Sequence, residues 1–191
     1  MVLKHPTAYQ IGKTVVYFVR HGDRLSYDSL PNHPGPGLSA LGKKQAKAVA
    51  QQFIPLKDEI DILYSSSMTR ALETAAIIGK AIHKQPHIEH HLCEVNKILW
   101  TRRYHTRGFW KHLFRYFLAQ RAFNKILRNN REKVIVIVAH GGIIRALFGW
   151  KYGISLWKRG ALDHHNCHIT LLRFKGTKLN YIHYYNSKGL A

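Results

Sequence analysis

The sequence predicts an α/β fold: a three-layer sandwich with a mostly parallel central sheet flanked by helices and one antiparallel edge. Three features predict it. Two short apolar runs rich in β-branched residues, TVVYFV at 14 to 19 and VIVIVA at 134 to 139, have the pattern of strands buried on both faces. Helical spacing of apolar residues recurs between and after them. Near the end, CHITLLRF and LNYIHYYN flank the turn KGTK as a hairpin.

In chain order, the first run closes at Arg20, and residues 28 to 38, DSLPNHPGPGL, are too rich in proline and glycine for anything but a loop. LSALGKKQAKAVAQQF then reads as a helix, with Ser39 as N-cap, Leu41, Ala48, Val49 and Phe53 on its apolar side, and Pro55 ending it. IDILYSSS at 60 to 67 reads as a shorter strand. From Met68 to His83, Ala71, Leu72, Ala75, Ile78 and Ile82 fall at helical spacing. Beyond His140, GGIIRALFGW resumes a helical pattern before the hairpin.

The chain of 191 residues suits one domain over 1–191, and 46% hydrophobic residues give it ample core material. A basic, aromatic helical insertion is expected at about 97–133, running from Lys97, Arg102 and Arg103 to Lys133 with Glu132 as its single acid. Within it, Leu113, Phe114, Phe117, Leu118, Ala122, Ile126 and Leu127 could share one packed face, with Lys111, Arg115, Lys125 and Arg128 largely on others.

Thirty Lys and Arg against 10 Asp and Glu give a formal charge of +20, which calls for an anionic partner or substrate. A phosphorylated small molecule, lipid or protein fits this charge, and so does an anionic membrane surface. No nucleic-acid motif accompanies the charge, which argues against a nucleic-acid partner. Two cysteines, Cys93 and Cys167, are too few for a disulfide framework. With no secretory leader and no long apolar run, the chain is expected in the cytoplasm.

In open α/β sheets, ligands bind beyond the carboxyl ends of the strands. His21 and His140 fall there on two separate strands, each followed by glycine, with Arg20 beside the first. Arg70, in the first turn of the helix after IDILYSSS, points toward the same edge. A single histidine or arginine at such a place is usually structural. Two imidazoles, two guanidiniums, glycine amides such as that of Gly141 and helix N-termini together suit a doubly charged tetrahedral anion.

VRHG after the first strand, LSALGKKQA, YSSSMTRALETA, VAHGGIIRAL and HNCHITLL, in that order from about Val15 to Phe174, resemble branch 1 of the histidine phosphatase superfamily, which is phosphoglycerate mutase-like. The resemblance implies that His21 is a nucleophile taking the phosphoryl group, with Arg20, Arg70 and His140 on its oxygens. Gly22 would turn the chain with its amide close to the phosphate. The proton donor to the leaving group would be Glu94, in HHLCEVN, with Asp23 and Glu89 as alternatives and Glu73 on a helix surface. RHGDR departs from the usual branch pattern, and Arg24 becomes a candidate substrate ligand alongside Gly141.

This resemblance implies a phosphomonoester hydrolase, a phosphatase with a phosphohistidine intermediate acting on an anionic, multiply phosphorylated substrate. A mutase-type phosphotransferase and a polyanion-binding module on the same fold are the alternatives. No segment long enough to seal the site follows the hairpin, which favours hydrolysis. HIEHHLCE and DHHNCH repeat no familiar zinc spacing and the chemistry needs no metal, so no metal and no other cofactor is expected.

Overall fold

A computed structural model describes residues 12–26, 35–95 and 106–189. Residues 28 to 34 of the expected loop, and Lys97, Arg102 and Arg103, lie outside them. Six strands form one sheet: β1 (Thr14–Arg20), β2 (Ile62–Ser65), β3 (Pro86–Ile88), β4 (Val134–Ala139), β5 (Ile169–Lys175) and β6 (Lys178–Ser187). Their spatial order is β3-β2-β4-β1-β5-β6. β3, β2, β4 and β1 are mutually parallel, β5 runs against β1, and β6 returns against β5. The expected sandwich with an antiparallel edge is therefore the fold.

Alternation along the central strands makes two cores. Val15, Tyr17 and Val19 of β1 face one layer, where helices α1 (Ala40–Phe53) and α2 (Thr69–Ile82) contribute Val49, Phe53, Ala75 and Ile78. Val16 and Phe18 face the other, under helices α3 (Arg107–Asn129) and α4 (Gly141–Lys151). Central strands buried on both faces have no reason to alternate with polar residues, which is why β1 and β4 read as continuous apolar runs.

Helix α1 starts as its sequence suggests, with the Ser39 hydroxyl accepting from Gly42 N. Its inward face differs from the expected one: Gly42, Ala46, Val49, Ala50 and Phe53 are buried, Leu41 is 57% exposed and Ala48 is exposed. The first turn is set by Gly42, where an added Cβ would lie 1.9 Å from the Asp23 carbonyl oxygen, and this contact turns Leu41 outward.

Helix α3 also departs from its expected phase. Phe109, Tyr116, Ala119, Ala122, Phe123, Ile126 and Leu127 are buried, whereas Phe114 and Phe117 are 64% and 52% exposed. Two anchors fix the rotation. Phe123 packs on Phe18 and Phe174 at 5.2 and 5.5 Å between ring centroids, and the Tyr116 hydroxyl accepts from the buried guanidinium of Arg159.

Candidate active site

β1, β2 and β4 deliver their carboxyl ends to one edge of the sheet, at the point where the chain, having built β2 and β3, returns to insert β4 beside β1. His21 and His140 follow β1 and β4 there, both buried, with ring centroids 5.0 Å apart. Arg70 enters from the first turn of α2, and His140 is the N-cap of α4.

The ring of His21 is fixed on both sides. Its Nδ1 lies 2.7 Å from the Gly22 carbonyl, which can only accept, so Nδ1 carries the proton and Nε2 the lone pair. Arg70 Nε donates to that lone pair at 3.0 Å. Burial first, and then the charges of Arg70, Arg20 and Arg24, push the imidazole down to about 3, with the Gly22 carbonyl opposing them. His21 is therefore neutral at physiological pH, as a nucleophile must be.

His140 is held well below its ordinary range by burial and by His21, Arg70 and Arg20. Its Nε2 lies 2.8 Å from Ser66 Oγ, and its Nδ1 is buried with no protein partner among the described residues. A serine hydroxyl donating to Nε2 leaves the proton on Nδ1. Arg20 donates through Nη1 to the His164 carbonyl, and its Nε is likewise buried without a protein partner. With that tautomer, Arg20 Nε and His140 Nδ1 are two buried donors without a protein partner among the described residues, which an anion could satisfy, since an unsatisfied buried donor is costly.

Glu94 completes the cluster. Ligand atoms of His21, Glu94 and His140 lie within 4.8 Å of one another. Burial raises the Glu94 carboxyl above its ordinary value against the pull of Arg70, Arg20 and Arg145 and of the Gly142 amide. The same three residues could chelate a cation, but the guanidiniums of Arg20 and Arg70 beside them make the local field one for an anion.

The structure brings together His21, Arg20, Arg70, His140 and Glu94, and places Gly141 against Arg20, where an added Cβ would lie 3.2 Å from Nε. The other candidates have different employment. Asp23 accepts from the Ser39 hydroxyl at 2.6 Å, and Glu89 accepts from His91 N. Glu73 accepts from Leu38 N at 2.7 Å and so ties a loop down rather than lying idle on a helix surface. Arg24 is partly exposed and donates to the Leu25 carbonyl, and its charge helps lower the pKa of His21.

The expected role of the Gly22 amide does not survive. Gly22 N donates to Thr74 Oγ1 at 3.1 Å, away from the anion space. Glycine is required there by close approach: a Cβ would lie 2.5 Å from the Gly42 carbonyl oxygen. Three supporting residues had no signal of their own in the sequence. Ser66 sets His140, Asn166 Nδ2 donates to the His21 carbonyl at 2.9 Å, and His164 holds Arg20 while its Nε2 meets Thr170 Oγ1 at 3.0 Å.

Beside Glu94 opens a cavity of about 500 Å³, walled by Met68, Phe114 and Leu118 and by Lys111, Arg115 and His91.

Comparison with known proteins matches this arrangement to a family. The model described as "Histidine phosphatase superfamily (branch 1)" matches residues 16–108 and 118–187. A Hydrogenobacter thermophilus relative described as "Putative phosphoserine phosphatase 2" is 27% identical over 191 residues, covering 85% of this chain and 91% of its own. Among solved structures, Bacillus stearothermophilus YhfR superposes with a TM-score of 0.73 at 18% identity, covering 91% of this chain and 97% of its own. A phosphoserine phosphatase from Entamoeba histolytica, solved with 3-phosphoglyceric acid, gives a TM-score of 0.70 at 21% identity, with coverages of 91% and 97%.

Proposed function

The chain is a histidine phosphatase, a member of branch 1 of that superfamily, and from that premise we propose that it hydrolyses phosphomonoesters through a phosphohistidine on His21. The observation that carries this reading is the convergence of a neutral imidazole, a carboxyl and a second imidazole within 4.8 Å, flanked by the buried Arg70 and the half-buried Arg20.

Binding of the phosphoryl group to Arg20 Nε, His140 Nδ1 and Arg70 draws Arg70 off His21 Nε2 and frees its lone pair. Nε2 then forms the N–P bond as the ester P–O bond breaks, and Glu94 gives its proton to the departing oxygen. In the second half, the Glu94 carboxylate takes a proton from water as that water attacks phosphorus. The N–P bond breaks, phosphate leaves, and His21 is again neutral, with Nδ1 keeping its proton and donating it to the Gly22 carbonyl. The protein supplies position and fixed positive charge, which is what phosphoryl transfer asks of it.

The cavity beside Glu94 supports a substrate class. Apolar walls at Met68, Phe114 and Leu118 suit an organic body, while Lys111 and Arg115 suit a second anionic group on it. A relative named for phosphoserine and a neighbour solved with 3-phosphoglyceric acid point to small phosphomonoesters of that kind. The same opening admits water, which favours hydrolysis over transfer to a second acceptor.

A phosphate-release screen tests this, covering phosphorylated amino acids, phosphoglycerates, sugar bisphosphates, inositol phosphates and lipid phosphomonoesters. His21→Ala should lower turnover at least about a thousandfold. Acid-labile phosphate should appear on the wild type after a rapid quench. A near-wild-type rate in His21→Ala overturns the reading; phosphate passing to a second acceptor faster than to water makes the protein a mutase.

A further inference from the structure

We propose that the outer face of α3 docks this protein on an anionic lipid bilayer. With Phe109, Tyr116, Ala119, Phe123 and Leu127 turned into the core, the opposite stripe of the helix carries Trp110, Phe114, Phe117, Arg121, Lys125 and Arg128. That stripe is divided. Its first half is aromatic, with Trp110, Phe114 and Phe117 exposed by 59%, 64% and 52%, and its second half is cationic and exposed. At about 1.5 Å per residue, each half is about 10 Å long.

Core packing does not ask for this pattern. The helix is already anchored from its inner side, and large aromatic groups left in water forgo burial free energy. The aromatic patch also continues onto a second element, the 310 turn Leu156–Ala161. Trp157 there, 38% exposed, stacks on Phe109, which in turn meets Trp110 edge-on. Lys158 beside it is exposed.

Charge selects the partner. No acid occurs from residue 96 to 131, so nothing on α3 opposes an anionic surface. A bilayer interface accepts aromatic rings about 5–10 Å deep and offers anionic headgroups to cations at the same level, so one flat surface satisfies both halves of the stripe. A single-stranded nucleic acid requires cations along its backbone interleaved with stacking rings; on this stripe the two are segregated, and the exposed Lys111 and Arg115 next to the rings line the substrate cavity. A second copy brings the same cations and a net charge of +20 to the contact. Among the described residues no helix is long and apolar enough to cross a membrane, so α3 is a helix that lies on the surface.

The test is co-sedimentation of the full chain with vesicles of phosphatidylglycerol and phosphatidylcholine in equal parts, against phosphatidylcholine alone, at physiological salt. Binding to the first and not the second is expected. Replacing Arg121, Lys125 and Arg128 together by Gln should weaken it about a hundredfold, at about fivefold per charge. Trp110→Ser with Phe117→Ser should weaken it at least about tenfold. Phe114 is left intact because it lines the substrate cavity. Both variants should melt as the wild type does and, at physiological salt, hydrolyse a soluble aryl phosphate at its rate; the charge variant keeps the test alive if the aromatic one folds poorly.

No vesicle binding, equal binding to both vesicle types, or binding unchanged in both variants overturns the proposal. Tighter binding to a single-stranded oligonucleotide that falls in both variants assigns the face to nucleic acid. A dimer lost in the aromatic variant assigns it to a second copy. Sedimentation does not depend on turnover, so its failure is distinct from failure of the phosphatase reading.

Discussion

Arg20 and Arg70 at the carboxyl edge of the sheet are held in place by neighbours, whereas Arg121, Lys125 and Arg128 on α3 stand in solvent. The first pair sits within reach of two imidazoles and a carboxyl, and their charges move all three: His21 and His140 down, and Glu94 back against its burial. A cation on the outer face of α3 has water to screen it and acts at long range, if at all. Charge of one sign thus shifts the titration of its neighbours where burial makes it local and directional, and is screened where it stays solvated, which is the contrast the two proposals rest on.

The largest effect that sharpens this contrast belongs to Glu94→Gln, about 10²- to 10⁴-fold in kcat on an alkyl phosphate and less on an aryl phosphate, whose leaving group needs less protonation. The pH profile gives the sign. A general acid works protonated, so kcat/KM should fall as pH rises through the Glu94 pKa, which burial has raised, and this limb should vanish in the variant. His21, at about 3, should add no acidic limb in the ordinary imidazole range near 6.5. Stability has the opposite sign for the histidines. Between 6.5 and about 3 the unfolded chain takes protons that buried His21 and His164 refuse, so the melting temperature should fall as pH is lowered through that window.

Next comes Gly142→Ala, which carries no charge yet strikes the charged cluster. The new methyl would lie 2.2 Å from Glu94 Oε1 and 2.4 Å from the Val95 carbonyl oxygen, so the acid must move away from the leaving group. A displacement of about 1 Å costs about 10²-fold in a positioned reaction. Activity should fall about that far with only modest loss of melting temperature; wild-type activity would show that the Glu94 position is not held from this side.

Ser66→Ala should cost about tenfold in kcat, the equivalent of one hydrogen bond, with a smaller change in KM. It removes the hydroxyl that meets His140 Nε2 at 2.8 Å. Ser66→Thr, which restores a hydroxyl, should recover part of the loss, and failure to recover points to packing at this fully buried position instead.

What the sequence made legible follows the same divide. Val15 to Val19 and Val134 to Val138 advertise buried parallel strands because nothing polar is tolerated on either face, and the residues that follow them, Arg20, His21 and His140, inherit a known edge. Pro86–Ile88 gives no strand signal, since three residues beginning with proline carry no period. The phase of α3 is ambiguous in the sequence because its apolar residues wrap most of the helix, and only contacts from Phe18, Phe174 and Arg159 choose among them. Ser66 and Asn166 were silent for a similar reason: their partners lie 74 and 145 residues away.

The smallest expected effect is the one that tests the solvated side of the comparison. Arg121→Gln with Arg128→Gln should change stability by no more than about 0.5 kcal/mol per site, since neither charge is buried. The direction should be slightly favourable, because each substitution removes one charge from a chain at +20 and relieves self-repulsion. For a small soluble phosphate, kcat should stay put while kcat/KM drops about twofold at low salt, a loss of steering that added salt erases within a Debye length of about 8 Å at physiological ionic strength. Stopped-flow rates at two ionic strengths measure it. A tenfold fall in kcat that persists in salt would mean that the outer face of α3 reaches the reacting phosphate after all, and the division between buried chemistry and solvated recruitment would have to be redrawn along the helix.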